Sequence, residues 1–193
     1  MPRIVSTFAV VLTLSALGIA QSSARSTDFR NLAYPWSKSF DRGWASVSDW
    51  RWLNERETDL LALRNGRHDF GGGLGGYLQV SSVTFGDLDG DGDDEAAVDL
   101  IRGTGGTANW HYLYIFSTRS RAPRVLGILR SGSRAFGGLT AVAIVKGVLV
   151  LEFNDPKLST ADCCSDGFIR AQYRFDGTRF IEAAPRQGGV RKD

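Results

Sequence analysis

The residues best suited to chemistry lie in one acidic stretch near the middle of the chain. Its carboxylates alternate with single intervening residues and are Asp87, Asp89, Asp91, Asp93 and Glu95. Like charges a few ångströms apart at a protein surface repel by on the order of a few kcal/mol per pair. A cation among them would relieve that repulsion, so the stretch predicts a cation site.

Calcium is the cation that fits this arrangement, because it is a hard ion that accepts about six to eight oxygen ligands in a tolerant geometry. Side-chain oxygens are predicted from Asp87, Asp89 and Asp91, a backbone carbonyl from Asp93, and a closing carboxylate from Glu95. Gly90 and Gly92 permit the positive φ that such a bend requires. The alternative is a solvated acidic turn without an ion, but such turns seldom repeat Asp at every second position.

The stretch does not match an EF-hand, because Val98 stands where that motif needs a glutamate. Its flanks predict strands instead of the helix pair that opens on binding. Asp94 is expected to face solvent. We therefore expect a structural, permanently loaded site, with an affinity of roughly 10⁻⁴ to 10⁻³ M or somewhat tighter.

The two cysteines are neighbours in sequence, Cys163 and Cys164. Such a pair cannot close a long loop, and in an oxidising compartment it favours a local vicinal disulfide. Two buried free thiols are the alternative. A soft-metal site lacks support, because no further cysteine or nearby histidine accompanies the pair.

The remaining candidates for chemistry form no recognisable catalytic motif. His68 lies in a turn-rich region, and His111 is expected to be a half-buried strand residue. Asp99, Glu152 and Asp155 are isolated in sequence, so they do not suggest a pair of catalytic carboxylates. The glycine-rich stretch 71–76 lacks the Lys-Ser/Thr end of a phosphate loop and is expected to be a surface loop. The sequence therefore predicts a protein that is not an enzyme.

The elements that would position the acidic stretch are short strands. Apolar residues alternate with polar ones in segments separated by Gly, Asp, Asn or Pro, which predicts an antiparallel all-β domain. The predicted strands are Tyr77–Phe85, Ala96–Ile101, His111–Ser117, Arg124–Leu129, Thr140–Lys146, Val148–Phe153, Phe168–Phe175 and Arg179–Glu182. Hairpin turns are expected at Lys146-Gly147 and Asp176-Gly177. A sandwich or a propeller-blade-like sheet would satisfy this pattern.

The segment before these strands is aromatic and irregular. The seven rings of Phe29, Tyr34, Trp36, Phe40, Trp44, Trp50 and Trp52 are expected to pack on the sheet. Asn65-Gly66 predicts a tight turn after a strand at 60–63, although a helix over 50–63 also fits the pattern. The polar, glycine-rich tail 185–193 is expected to be mobile.

The N-terminus predicts export. Arg3 precedes an apolar stretch from Ile4 to Ala20, followed by small residues suited to cleavage. We assign residues 1–24 to a signal peptide and 25–184 to a single β domain, with the mature chain starting at Gln21 or Arg25. A membrane anchor is the alternative, but the stretch is short and interrupted by hydroxyl residues. The 23 Lys and Arg nearly balance the 21 Asp and Glu, so nothing points to nucleic acid.

The acidic stretch also carries a resemblance. Phe85 to Val98 resembles the calcium loop of FG-GAP or VCBS-type repeats, whose acidic positions correspond here to Asp87, Asp89, Asp91 and Glu95. Only one copy is present, which excludes a propeller built from many such repeats.

More of the chain resembles a group of small exported bacterial proteins and lipoproteins of the LppP/LprE type. The residues that carry this resemblance are 28–35, the acidic stretch, 103–107, 162–165 and 173–177. The resemblance implies an exported fold with one calcium loop and implies no activity. The lipidation cysteine of the lipoprotein members is missing here.

Together these features predict a secreted or periplasmic calcium-binding β domain that acts as a binding or structural module in the cell envelope. An unknown envelope protein or a glycan is the expected partner, and no membrane span is expected in the mature chain. The alternative is a hydrolase directed at the cell wall or a glycan, or an inhibitor of one.

Overall fold

The computed structural model describes residues 23–37, 40, 50–53, 59–71, 75–120, 122–161 and 164–191. A short helix α1 (Ser23–Ser26) and a 3-10 turn (Phe29–Asn31) come first, and a second 3-10 turn (Pro156–Leu158) follows β10. The strands are β1 (Ala33–Trp36), β2 (Arg51–Leu53), β3 (Asp59–Ala62), β4 (Arg67–Asp69), β5 (Tyr77–Gly86), β6 (Glu95–Gly103), β7 (Asn109–Ser117), β8 (Arg124–Ser133), β9 (Leu139–Val145), β10 (Val148–Asn154), β11 (Ser159–Ala161), β12 (Cys164–Ser165), β13 (Gly167–Phe175) and β14 (Phe180–Val190). The predicted all-β class is confirmed.

Two antiparallel sheets make up most of the fold. The larger has the order β2-β8-β7-β6-β5-β4, and the smaller has the order β14-β13-β10-β9. β1 pairs with β3, and β11 with β12. One core cluster joins the two main sheets, with Leu113 and Ile115 from the first and Leu149, Leu151 and Phe153 from the second. The arrangement is therefore a sandwich rather than a propeller blade.

A second core cluster lies on the opposite face of the six-stranded sheet. The N-terminal segment covers this face with Phe29, Tyr34, Trp36 and Phe40. Tyrosine hydroxyls fix the segment to the sheet, since Tyr112 donates to the carbonyl of Phe40 at 2.8 Å and Tyr114 to that of Pro35 at 2.6 Å. The central strands are thus buried on both faces, which explains why β6 is buried at eight of its nine positions.

The aromatic segment packs as predicted. Trp50 stacks on Phe153 with ring centroids 4.1 Å apart, and Trp52 stacks on Phe180 at 4.4 Å. These ring contacts connect β2 and the residue before it, Trp50, to the four-stranded sheet. Trp44 lies outside the described residues. The alternative helix over 50–63 is wrong where the chain is described, because 51–53 and 59–62 are strands.

The turns agree closely with their sequence signals. Asn65 and Gly66 have φ of 52° and 83°, Lys146 and Gly147 have 50° and 74°, and Gly177 has 95°. The tight turn at Asn65-Gly66 does not join β3 to a hairpin partner. β3 pairs with β1, and only an isolated bridge between Arg64 and Arg67 spans the turn.

The C-terminal segment differs from its prediction as a mobile tail. β14 continues through Val190 and pairs Gln187 with Arg170 and Gly189 with Phe168. Pro185 is tolerated because β14 is an edge strand and the register shifts there, so no ladder hydrogen bond is lost. Arg191 then donates to Asn154 at 3.0 Å, which anchors residues 185–191.

Several predictions fall on residues that are not described. The signal peptide lies outside up to residue 22, and α1 begins at Ser23. The predicted vicinal disulfide also lies outside the described residues. Cys163 is not described, and only the backbone of Cys164 is described. In the described part of the chain, every helix is too short or too polar to span a bilayer.

Candidate metal centre

The acidic loop connects β5 to β6, whose ends pair at Gly86 and Glu95. It winds around the carboxylate of Asp87, which accepts the N–H of Gly90 at 2.6 Å and that of Gly92 at 3.0 Å. Gly90 and Gly92 have φ of 80° and 92°, values that side chains other than glycine rarely adopt. The alternation of Asp with Gly therefore serves the path of the backbone as well as the charge.

Three of the predicted ligands come together in this loop. Asp87, Asp89 and Glu95 each offer a carboxylate oxygen, and the three oxygens lie within 4.8 Å of one another. Asp87 follows the last residue of β5 and Glu95 is the first residue of β6, so the hairpin fixes two of the three. An arrangement of three hard oxygen donors around one point could hold a divalent ion.

Glu95 is the most unusual member of this group. Its side chain is fully buried, and its Oε2 accepts the N–H of Leu88 at 2.9 Å. Oε1 accepts no hydrogen bond of normal geometry from the described part of the chain. A buried carboxylate oxygen without a donor is energetically costly, so a cation at this atom would lower that cost.

Burial raises the pKa of Glu95 to about 7. The negative charges of Asp89 and Asp87 raise it further, whereas the backbone N–H groups of Leu88 and Asp89 oppose the shift. A metal ion would act in the opposite direction by stabilising the ionised form. The carboxyl is thus placed where a proton and a cation compete for the same oxygens.

Two arginines compensate other parts of the acidic loop. Nη2 of Arg119 lies 2.9 Å from Oδ1 of Asp89 and also pairs with Asp91. Nε of Arg25 pairs with Asp94 at 2.7 Å, so Asp94 does not simply face solvent as expected. Sequence spacing gave no signal for either arginine, because both come from distant parts of the chain.

The side chains of Asp91 and Asp93 are not part of the group of three. Asp91 lies outside it and instead accepts the N–H of Asp93 at 2.8 Å and pairs with Arg119. Only side-chain donors define the group, so the carbonyl ligand from Asp93 remains a prediction. The site that the structure brings together is therefore Asp87, Asp89 and Glu95.

A cleft of about 470 Å³ opens beside the acidic loop. Asp87 and Asp89 line one side, and Lys146 and Arg174 from the four-stranded sheet line the other. The loop therefore lies next to the β9–β10 turn, between the two sheets of the sandwich.

A second pair of polar side chains lies away from the acidic loop. Nδ1 of His111 on β7 is 2.9 Å from Oδ2 of Asp99 on β6, with the side chains 15% and 7% exposed. Sequence reasoning treated Asp99 as isolated. A hairpin centred on Gly106 pairs Ile101 with His111 and Asp99 with Leu113. Asp99 and His111 are therefore diagonal neighbours across this hairpin, and that spacing is the sequence signal for their contact.

No protein-family model, curated protein or solved structure matches the chain.

Proposed function

We propose that this chain is an exported calcium-binding β domain that acts as a binding or structural module of the cell envelope and performs no catalysis. The observation that carries the proposal is the buried carboxylate of Glu95. Among the described residues its Oε1 accepts no hydrogen bond of normal geometry, and its oxygens approach those of Asp87 and Asp89. Export follows from the predicted signal peptide and remains part of the proposal.

The donor set favours calcium over other divalent ions. All three side chains offer oxygen, and neither His nor Cys accompanies them in the described cluster, which disfavours zinc. Magnesium requires a nearly ideal octahedral geometry and gives up its bound water reluctantly. A loop with one buried and two more exposed carboxylates suits the larger and more tolerant ion.

The ion would have a structural role in this position. It would connect Asp87 at the end of β5 with Glu95 at the start of β6. It would thus close the hairpin between the central strand β6 and its neighbour β5 in the six-stranded sheet. Leu88, between the ligands, is only 3% exposed and belongs to the core between the sheets. Binding would therefore stabilise the loop together with the core beneath it.

Metal analysis and calcium titration test the proposal. The purified chain is expected to bind one calcium ion and to melt at a higher temperature in calcium than in chelator. Replacing Asp87 and Asp89 together by Asn should abolish both effects. Asp94→Asn is the matched control in the same loop and should retain them. A wild-type chain that binds no calcium at millimolar concentration would overturn the proposal.

A second candidate function, a hydrolase acting on the cell wall or a glycan, is favoured by one observation. His111 contacts the nearly buried Asp99 through Nδ1, the arrangement that orients a histidine as a general base. A panel of cell-wall fragments and hydrolase substrates tests this idea. Turnover that disappears in His111→Gln would support it, and no turnover by the wild type would exclude it for those substrates.

A further inference from the structure

The outer face of the four-stranded sheet is more apolar than its position explains. Its inner face packs in the core through Leu149, Leu151 and Phe153. The outward positions would be expected to be polar, since an antiparallel sheet with one solvated face alternates apolar and polar residues. Instead β9 and β10 present Ala141, Ala143, Val145, Val148 and Val150.

These residues form the floor of a shallow groove of about 570 Å³, which we call the outer groove. Val145 is 53% exposed, and Ile181 on β14, paired with Arg174, is 42% exposed. Contiguous apolar surface of this kind on a soluble domain commonly marks an interaction site.

Two cations without an ion-pair partner among the described residues border the outer groove, beside a mixed polar wall. Alternate residues of β13 stand along one side: Arg170, Gln172 and Arg174. Arg170 is neutralised by Glu152, 3.0 Å away. Lys146 and Arg174 line both the outer groove and the cleft that holds Asp87 and Asp89. Neither forms an ion pair with the residues that the structure describes, so both can contact a ligand in the groove.

We propose that the outer groove binds an acidic peptide segment of a partner protein, with apolar side chains on the Ala and Val floor and carboxylates on Lys146 and Arg174. Two features favour a peptide over a carboxylated glycan or a nucleic acid. None of the residues lining the groove is aromatic, so there is no stacking platform for sugar rings or bases. Two available cations are also too few for a phosphate backbone.

This inference rests on the proposed binding role, for which it specifies the partner, but it does not require the calcium site. The two can fail separately. Calcium binding is measured by the melting shift, and peptide binding by fluorescence anisotropy, on the same preparations. Peptide binding is measured in calcium at low salt, because exposed charges are screened within about 10 Å at 0.1 M salt.

The probe is a labelled peptide of four Glu-Val repeats, compared with four Ser-Val repeats. The acidic peptide should bind, the neutral one should bind at least about tenfold more weakly, and added salt should weaken binding. The double variant Lys146→Asn with Arg174→Gln should lose about tenfold in affinity. Asn suits position 146 because it tolerates the φ of 50° found there.

Arg124→Gln with Arg179→Gln is the matched control, since it removes the same charge from exposed arginines that do not line the groove. It should leave binding unchanged. Ala143→Gln fills the floor without changing charge and should also weaken binding. Each variant must keep the wild-type circular dichroism spectrum and a cooperative melting transition in chelator, which shows that the fold is intact.

Three outcomes would overturn the inference. The first is a wild-type chain that does not bind the acidic peptide, and the second is equal loss in the two double variants. The third is preferential binding of an oligogalacturonate, or self-association of the chain, that depends on Lys146 and Arg174. The last result would assign the outer groove to a glycan or to a second copy.

Discussion

Replacing Glu95 with Gln should stabilise the protein when calcium is chelated and remove its response to calcium. Burial raises the pKa of Glu95 from 4.5 to about 7. At pH 8 Glu95 is therefore ionised in both states, but its charge is buried in the folded chain and exposed to water in the unfolded chain. The difference between the two pKa values corresponds to about 3 kcal/mol of lost stability. Gln avoids this cost and keeps an oxygen for the N–H of Leu88.

Calcium should bring the wild type to about the stability of Glu95→Gln. With a dissociation constant of ~10⁻⁴ M, calcium at ~10 mM would stabilise the wild type by about 3 kcal/mol. For a domain of this size, that corresponds to a rise in melting temperature of about 6 to 12 °C. Glu95→Gln retains two of the three carboxylates but lacks the buried one, so its melting temperature should hardly change.

The assay is thermal melting at pH 8 in calcium and in chelator. Asp94→Asn is the control, because it removes a charge from the same loop at a side chain that pairs with Arg25 instead of joining the group of three. It should lose less than about 1 kcal/mol and keep the calcium shift. The reasoning fails if Glu95→Gln still responds to calcium, or if it is less stable than the wild type in chelator.

The remaining predictions concern the pH dependence of stability, the role of Arg119 and the C-terminal part of β14. In chelator, the wild type should lose stability as pH rises from 4.5 to about 7. The reason is that Glu95 binds its proton more tightly in the folded chain than in the unfolded chain. Urea unfolding should show this loss relative to Glu95→Gln, and no further relative change above pH 7. Arg119→Gln should tighten calcium binding several-fold by calorimetry, since its guanidinium competes for Asp89 and Asp91; weaker binding would mean that Arg119 supports the site. Truncation after Ala184 should lower the melting temperature, because it removes the pairing of Gln187 and Gly189 with β13; an unchanged melting temperature would indicate that this part of β14 contributes nothing.

The strands could be predicted because each carries its own signal. The alternation in 77–85 and 148–153 reports a sheet with one buried face, and the structure has strands at Tyr77–Gly86 and Val148–Asn154. Gly147 after Lys146 predicted a turn because glycine adopts positive φ at no steric cost. These are local properties, so neighbouring residues were sufficient to identify them.

The C-terminal strand and the His111–Asp99 pair could not be found in this way. Residues 185–190 are polar and contain Pro and Gly, and they become a strand only because β13 offers an unpaired edge. His111 meets Asp99 only through the register of β6 with β7. Both depend on which strands become neighbours, which composition and periodicity do not reveal.

The acidic loop shows why crowding alone is a weaker argument for a metal than burial. From the sequence alone, five alternating carboxylates predict an external cation. Arg119 and Arg25 supply part of the compensation from within the chain, at Asp89, Asp91 and Asp94. Neither arginine pairs with Glu95, whose buried Oε1 has no donor among the described residues. The case for calcium therefore depends on one desolvated carboxylate beside Asp87 and Asp89, and for that reason Glu95→Gln tests it more directly than any other single substitution in the loop.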